Sequence, residues 1–207
     1  MKNKFHIILI VMIVILAATL GTFRTYMVMG ASDAPTFMSG DKVIINRSAY
    51  DITLPFSNLK LIRICLPERG DMVLCKVKKK DNGDYWLKRI IGLPGDTIEL
   101  KQNKIYINRI PLKYEVLSDE SFGFLKDNLI GEFFARETGL GLGHNISFSN
   151  KNGLLPNYGP IIVKRNHYFV LGDNRDNSMD SRLFGLVHRN HIYGKYLLIL
   201  SRNNTSL

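Results

Sequence analysis

Signatures of metal and redox chemistry are sparse in this chain of 207 residues. The five histidines, His6, His144, His167, His188 and His191, make no His-Glu-x-x-His frame, and His188 with His191 lacks a cysteine or carboxylate pair at ligand spacing. That argues against a zinc site, and nothing else calls for a metal or cofactor. The glycine run Gly139-Leu140-Gly141-Leu142-Gly143 does not complete a phosphate-binding loop: the third glycine would fall on His144 or Ile146, and no strand leads in. It reads as a flexible loop. Cysteine is limited to Cys65 and Cys75. A bridge is permitted outside the cytoplasm, yet Cys75 lies in Met72-Val73-Leu74-Cys75-Lys76-Val77, where a buried free thiol serves equally well, so both states stay open. Acidic residues are outnumbered, 18 Asp+Glu against 28 Lys+Arg, for a net charge of +10. That excess would help the chain lie against anionic headgroups or keep it soluble. With 45% hydrophobic and 22% charged residues, a wholly disordered chain is excluded.

Long apolar runs are also few, and one stands out. Phe5 to Phe23 carries no formal charge over 19 residues, and at about 1.5 Å per residue a helix of that length spans roughly 28 Å, close to the hydrocarbon thickness of a bilayer. Lys2 and Lys4 precede it, so the positive-inside bias keeps residues 1–4 in the cytoplasm, makes 5–23 a single-pass anchor in the cytoplasmic membrane and exports 24–207 to the outer side. Ala17-Ala18 offers the rival reading of a cleaved signal peptide, but the run is longer than a typical signal core and continues past them. An exported domain argues against a nucleic-acid partner for the basic charge.

The remainder reads as a mainly β domain. Lys42 to Asn46, Asp71 to Val77, Tyr85 to Ile91, Thr97 to Leu100, Lys104 to Ile107, Tyr168 to Leu171 and Tyr193 to Leu200 are short β-branched or aromatic runs bounded by Gly, Asp, Asn or Pro. Asp81-Asn82-Gly83-Asp84 is a hairpin turn signal, so the strands flanking it are expected to pair. From Ser118 to Gly159 the pattern loosens, and residues 118–159 are expected to form an inserted lobe or a long excursion from the sheet.

Three segments crowd turn-forming and charged residues between strands: Gly30 to Phe37, Tyr85 to Asp96, and Gly172 to Arg182. In the second, Lys88 sits in an apolar strand, on the face of Trp86 and Ile90 by period-two alternation. Burial of that face would disfavour the ammonium, which is how a lysine becomes a general base near neutral pH. An edge lysine reaching out to water is the plainer alternative.

Taken together, these segments resemble the boxes of type I signal peptidases, membrane-bound Ser/Lys endopeptidases that remove signal peptides from exported precursors. The resemblance covers the anchor, Gly30 to Asn58, Arg69 to Asn108 and Phe169 to Lys195, with Arg69-Gly70-Asp71, Lys88-Arg89, Gly92-Leu93-Pro94-Gly95-Asp96 and Gly172-Asp173-Asn174-Arg175-Asp176-Asn177-Ser178 with Asp180-Ser181-Arg182 in the family's order. It implies an antiparallel β catalytic core, a variable lobe where 118–159 falls, and signal-peptide-bearing precursors as partners alongside membrane lipid. By position, Ser32 is similar to the nucleophile and Lys88 to its general base, a serine–amine pairing that dispenses with histidine. Ser178 matches the serine that orients the lysine amine. The Ser32 N–H and Gly30 correspond to the oxyanion donors, while Arg89, Gly172, Asp173, Asp180 and Arg182 correspond to residues that support the site floor through ion pairs.

One departure is Asp33, where the resembling family normally has Met. It raises two alternatives to general signal-peptide processing: a Ser/Lys paralogue with a narrow client, and a non-catalytic precursor-binding envelope protein. Self-cleaving repressors of similar core would need a DNA-binding helix-turn-helix where this chain has the anchor. A carboxylate roughly 6 to 8 Å from the Lys88 amine would favour the ammonium by on the order of 2 kcal/mol at an effective dielectric near 20. Alternation along a strand supports the opposite expectation, that Asp33 turns away from Lys88 toward an arginine or solvent.

Overall fold

The computed structural model describes residues 2–54, 57–77, 85–118, 132–149 and 155–203. Helix α1 (Lys2–Thr22) is followed by β1 (Phe23–Met27), β2 (Lys42–Asn46), β3 (Asp51–Thr53), β4 (Lys60–Arg63), β5 (Met72–Lys76), β6 (Tyr85–Gly92), β7 (Thr97–Lys101) and β8 (Lys104–Ile107). Then come β9 (Ile110–Pro111), β10 (Lys113–Val116), β11 (Glu132–Gly139), β12 (Leu142–Ser149), β13 (Tyr158–Ile162), β14 (His167–Leu171), the short helix α2 (Ser181–Phe184), β15 (Val187–His188) and β16 (Ile192–Ser201). Among the described residues no helix is long and apolar enough to cross a membrane, the side chains at 13–20 lying outside that description.

The frame is a seven-stranded sheet in the order β1-β2-β16-β5-β6-β14-β15, joined by a four-stranded sheet β13-β7-β8-β9, a three-stranded sheet β10-β11-β12 and the ribbon β3-β4. The strand pairs are antiparallel. The mainly β expectation therefore holds, and the expected strands agree with the observed ones to within one residue at each end. The turn expected at Asp81 to Asp84 lies outside the described residues, but the strands beside it pair as expected, Cys75 with Trp86 and Lys76 with Tyr85.

From Leu87 to Gly92 strand β6 is buried on both faces, so the charged Lys88 and Arg89 lie inside among apolar neighbours. Ile90 packs with Val73, Cys75, Tyr168 and Val170, whereas Ile91 packs with Ile98, Ile105, Phe169 and Leu171. Both isoleucines are fully buried, and each such side chain contributes about 1.5–3 kcal/mol. Truncating either to alanine would open a cavity in the core on one face of the strand that carries Lys88 and Arg89. The two residues are thus presented to opposite sides of the sheet from a strand that has little freedom to shift.

The loosely patterned segment contains a regular hairpin. β11 and β12 pair across a turn at Leu140-Gly141, where φ is +52° and +87°. The glycines expected to form a flexible loop are therefore turn-formers that permit the positive φ angles. The hairpin was illegible as strands because its inward face is charged: Glu137 stands directly opposite His144, and both are buried. It packs on the rest of the molecule through Phe134 against Ala34, and Ser147 bridges to Asn174 in parallel. Residues 119–131 and 150–154 of the expected lobe lie outside the described residues.

Candidate active site

The segment after β1 folds into consecutive turns that carry Ser32. The Ala34 N–H donates to the Ala31 carbonyl at 3.2 Å and the Phe37 N–H to the Asp33 carbonyl at 2.9 Å. Ala34 and Phe37 are fully buried and anchor the turn to the core. The Ser32 carbonyl accepts the Asn174 N–H at 3.1 Å, which ties the turn to the segment 172–182. Gly172 is needed at this junction. A Cβ there would stand 2.2 Å from Ser178 Oγ and 2.3 Å from the Ser32 carbonyl oxygen, closer than atoms can approach.

Across that turn, β6 delivers Lys88. Its Nζ donates to Ser32 Oγ at 2.7 Å, although the two residues are 56 positions apart in sequence. The same nitrogen lies 3.2 and 3.1 Å from the two carboxylate oxygens of Asp33 and 2.6 Å from the Leu87 carbonyl oxygen. Its Nζ also stands 5.7 Å from the Trp86 ring centroid, over the ring on the face that period-two alternation assigns to it. Lys88 is only 1% exposed and Asp33 3%. The snorkelling alternative is therefore overturned, and so is an Asp33 that turns away: the carboxylate is in direct contact, closer than the 6 to 8 Å expected. Ser32 Oγ in turn donates to Asp33 Oδ2 at 2.8 Å. Burial pushes the Asp33 carboxyl above its usual range and the Asp173 charge adds to this, against the pull of Lys88 and the hydrogen bonds from Ser32 and Lys88. Cys75, on the strand beside Lys88, is pushed up to about 12 chiefly by burial and stays a thiol, so it is no rival nucleophile. Cys65 is exposed, and both cysteines are free.

Ser178 sits differently from its expected role. Its Oγ is buried without a hydrogen-bond partner, so the contact to Lys88 expected from the resemblance is not formed, and Asp33 with the Leu87 carbonyl holds the amine instead. Gly30 has φ of +82°, and its N–H donates to Ser39 Oγ at 3.3 Å. No atom lies within 4 Å of where a Cβ would stand, so the space beside it is open. This side of the site is the wall of a cleft of about 650 Å³, lined by Met27, Met29, Tyr85, Leu87 and Met179 as well as the catalytic candidates.

The floor is a set of buried ion pairs. Arg89 donates to Asp173 through Nε at 2.8 Å and Nη2 at 2.6 Å, and through Nη1 to the Gly70 carbonyl at 2.9 Å. Thr36 Oγ1 donates to the same carboxylate. Burial alone would raise the Asp173 carboxyl, but Arg89, His144 and Thr36 together bring it down to about 2. Arg182 grips Asp180 through two bonds of 2.8 Å, while Asp180 accepts the Gly172 N–H at 3.2 Å. The expected supporting residues Arg89, Gly172, Asp173, Asp180 and Arg182 thus meet in one floor.

Three members of this floor were not singled out in the sequence. Glu137 accepts both Arg175 nitrogens at 2.8 and 2.7 Å. His144 Nε2 stands 3.4 Å from Glu137 and 3.6 Å from Asp173, and burial lowers its imidazole to about 4, so it is neutral at pH 7. Ser147 Oγ donates to the Ala34 carbonyl at 3.2 Å. The available signal was symmetry, for Glu137 and His144 each stand three residues from the Leu140-Gly141 turn and must face one another.

The antiparallel β frame thus brings a serine hydroxyl against a buried amine at the wall of an open cleft. Comparison with known proteins gives the family: the model described as "Signal peptidase, peptidase S26" matches residues 1–201, and the chain belongs to that family. It is 33% identical over 189 residues to the Signal peptidase I P of Bacillus subtilis subsp. natto, covering 89% of this chain and 81% of that one. It is 31% identical over 182 residues to the Signal peptidase I of Pseudomonas aeruginosa, covering 82% of this chain and 62% of that relative, which is therefore longer. A solved signal peptidase I from Enterococcus faecalis is 29% identical, covers 64% of this chain and 97% of its own, and has a TM-score of 0.37.

Proposed function

We propose that this chain is a membrane-anchored endopeptidase that removes N-terminal signal peptides from exported precursors, with Ser32 as nucleophile and Lys88 as general base. The observation that carries the reading is the 2.7 Å contact between Lys88 Nζ and Ser32 Oγ. A neutral Lys88 amine takes the Ser32 hydroxyl proton as Oγ attacks the scissile carbonyl, then gives it to the leaving amine; a water deprotonated by the same amine releases the acyl group. The oxyanion is held by the Ser32 N–H, with the open space beside Gly30 receiving the carbonyl. β14 pairs only with the Arg89–Gly92 half of β6, which leaves the Tyr85–Lys88 edge facing the cleft, where an extended peptide can add as a strand.

The uncharged run from Phe5 to Phe23 serves as the anchor, with the catalytic domain on the outer side of the cytoplasmic membrane. Holding enzyme and signal peptide in one bilayer raises their effective concentration. The ribbon β3-β4 and its flank expose Leu61, Ile62 and Ile64, apolar surface suited to a lipid boundary. The experiment is cleavage of a membrane-embedded precursor by the full chain in liposomes, read by mass spectrometry of the new N-terminus. Cutting after the signal peptide by the wild type and none by Ser32→Ala is the expected result. A precursor that is bound but never cut would replace the enzyme with a precursor-binding protein.

A further inference from the structure

The carboxylate of Asp33 touches both reacting side chains. Oδ2 accepts the Ser32 hydroxyl at 2.8 Å and lies 3.1 Å from Lys88 Nζ, and Oδ1 lies 3.2 Å from the same nitrogen. Counting the Leu87 carbonyl and Ser32 Oγ, four oxygen atoms surround Lys88 Nζ. An ammonium has three N–H bonds for such a shell and a carboxylate in direct contact to favour its charge, whereas a neutral amine has two N–H bonds and a lone pair that only the Ser32 hydroxyl among these oxygens could meet as a donor. The hydrogen bonds therefore run in the opposite sense to that required for acylation: the lysine donates to the serine, and the serine donates to the aspartate. The buried Ser178 hydroxyl, in the meantime, has no partner.

We propose that Asp33 is the positioning residue of Lys88, taking the place expected of Ser178, and that it holds the base as a resting ammonium which must lose a proton before Ser32 can be activated. The inference rests on the Ser32/Lys88 reading above. In the activating step one Nζ–H bond breaks and its proton passes to water or a buffer base. Nitrogen keeps the electron pair, and the Ser32 hydroxyl swings from Asp33 to the freed lone pair. The other titratable or charged groups facing the pair are Cys75 from β5, Arg89 from β6 and Asp173 from the 172–182 segment. Cys75 remains a neutral thiol, and Arg89 is engaged with Asp173, so Asp33 is the carboxylate bonded to the amine. Burial keeps the Asp33 carboxyl above its usual range, and the Lys88 charge and hydrogen bond oppose this.

The test is kcat/KM against pH for the full chain in detergent micelles, using a fluorogenic signal-peptide substrate, with Asp33→Asn and Asp33→Met beside the wild type. Removing an opposite charge in direct contact is expected to move the rise of kcat/KM toward lower pH by about one to three units, and each unit is a tenfold gain at a pH below both midpoints. Profiles that superimpose, or a variant whose plateau falls with no shift, overturn the inference. Should both variants fail to fold by thermal melting, the ε-carbon NMR resonance of Lys88 in the wild type decides: an ammonium shift at pH 7 supports the inference and a neutral amine shift overturns it. Lys88→Ala separates the two levels. If it keeps activity, the Ser/Lys reading itself fails; if it is inactive while the Asp33 profiles superimpose, only the role of Asp33 is lost.

Discussion

Lys88 and Arg89 are neighbours on one strand, each buried against one aspartate, and the two pairs differ in kind. Arg89 meets Asp173 with two nitrogens in a planar fork, and Thr36 and His144 add to the same carboxylate, so Asp173 ends near 2 despite its burial. Lys88 meets Asp33 as a point charge shared with Ser32 and the Leu87 carbonyl, and burial wins, leaving Asp33 raised. Arginine does not lose its proton at any working pH, whereas lysine does. One pair is a fixed strut and the other can change state, separated by a single step in the pleat.

The largest effect that breaks this comparison is catalytic. Ser32→Ala and Lys88→Ala are each expected to lower kcat/KM on a signal-peptide substrate by at least about a thousandfold while circular dichroism remains that of the wild type, because the proposed nucleophile and base would act as a unit. A Lys88→Ala protein that kept a tenth of the activity would remove lysine from the mechanism. On the strut side the loss should be structural. Asp173→Asn leaves Arg89 buried without its counter-charge and is expected to destabilise the domain by about 3–5 kcal/mol, measured by denaturant unfolding. Loss of activity without loss of stability in that variant would make Asp173 a member of the chemistry instead of its support.

Acid sharpens the comparison further. His144 has a folded value of about 4 against an ordinary value of about 6.5, so between those values the unfolded chain binds a proton that the folded one refuses. Its contribution is complete above about 6.5 and is lost as pH falls through about 4, a change of about 3 kcal/mol. Asp173, also depressed, extends the loss from about 4 down toward 2. Asp33 has the opposite sign, since the folded state keeps its proton where the unfolded chain has released it. His144→Gln is expected to flatten the stability profile between pH 6.5 and 4 and leave the slope below 4 in place. An unchanged profile in thermal melts across that range would exclude His144 as the titrating group.

The same contrast explains what could be read from the chain. Lys42 to Asn46 and Lys104 to Ile107 declare themselves because their buried faces are apolar, and period-two alternation survives translation into sequence. β11 and β12 do not, because Glu137, His144 and Ser147 occupy inward positions and meet Arg175, Asp173 and Ala34, which lie far away in sequence. Ser32 and Lys88 were legible through the order of the surrounding boxes. The contact between Asp33 and Lys88 was not, since nothing in a strand pattern fixes where a residue in a tight turn will point. The partnerless Ser178 hydroxyl could not be foreseen for the same reason, as it depends on what Asp33 does.

Helix α1 ends at Thr22 and β1 begins at Phe23, with no residue between them, and the Thr22 carbonyl accepts the Arg47 N–H at 2.7 Å. Ser32 lies nine positions beyond Phe23, which limits the chain distance to at most roughly 30 Å. With α1 as the proposed anchor, this splice would limit the height of the proposed nucleophile above the bilayer more closely than a tethered arm would. Under that proposal the joint would act as a ruler, and the distance from the lipid would help select the bond that is cut together with the side chains beside it.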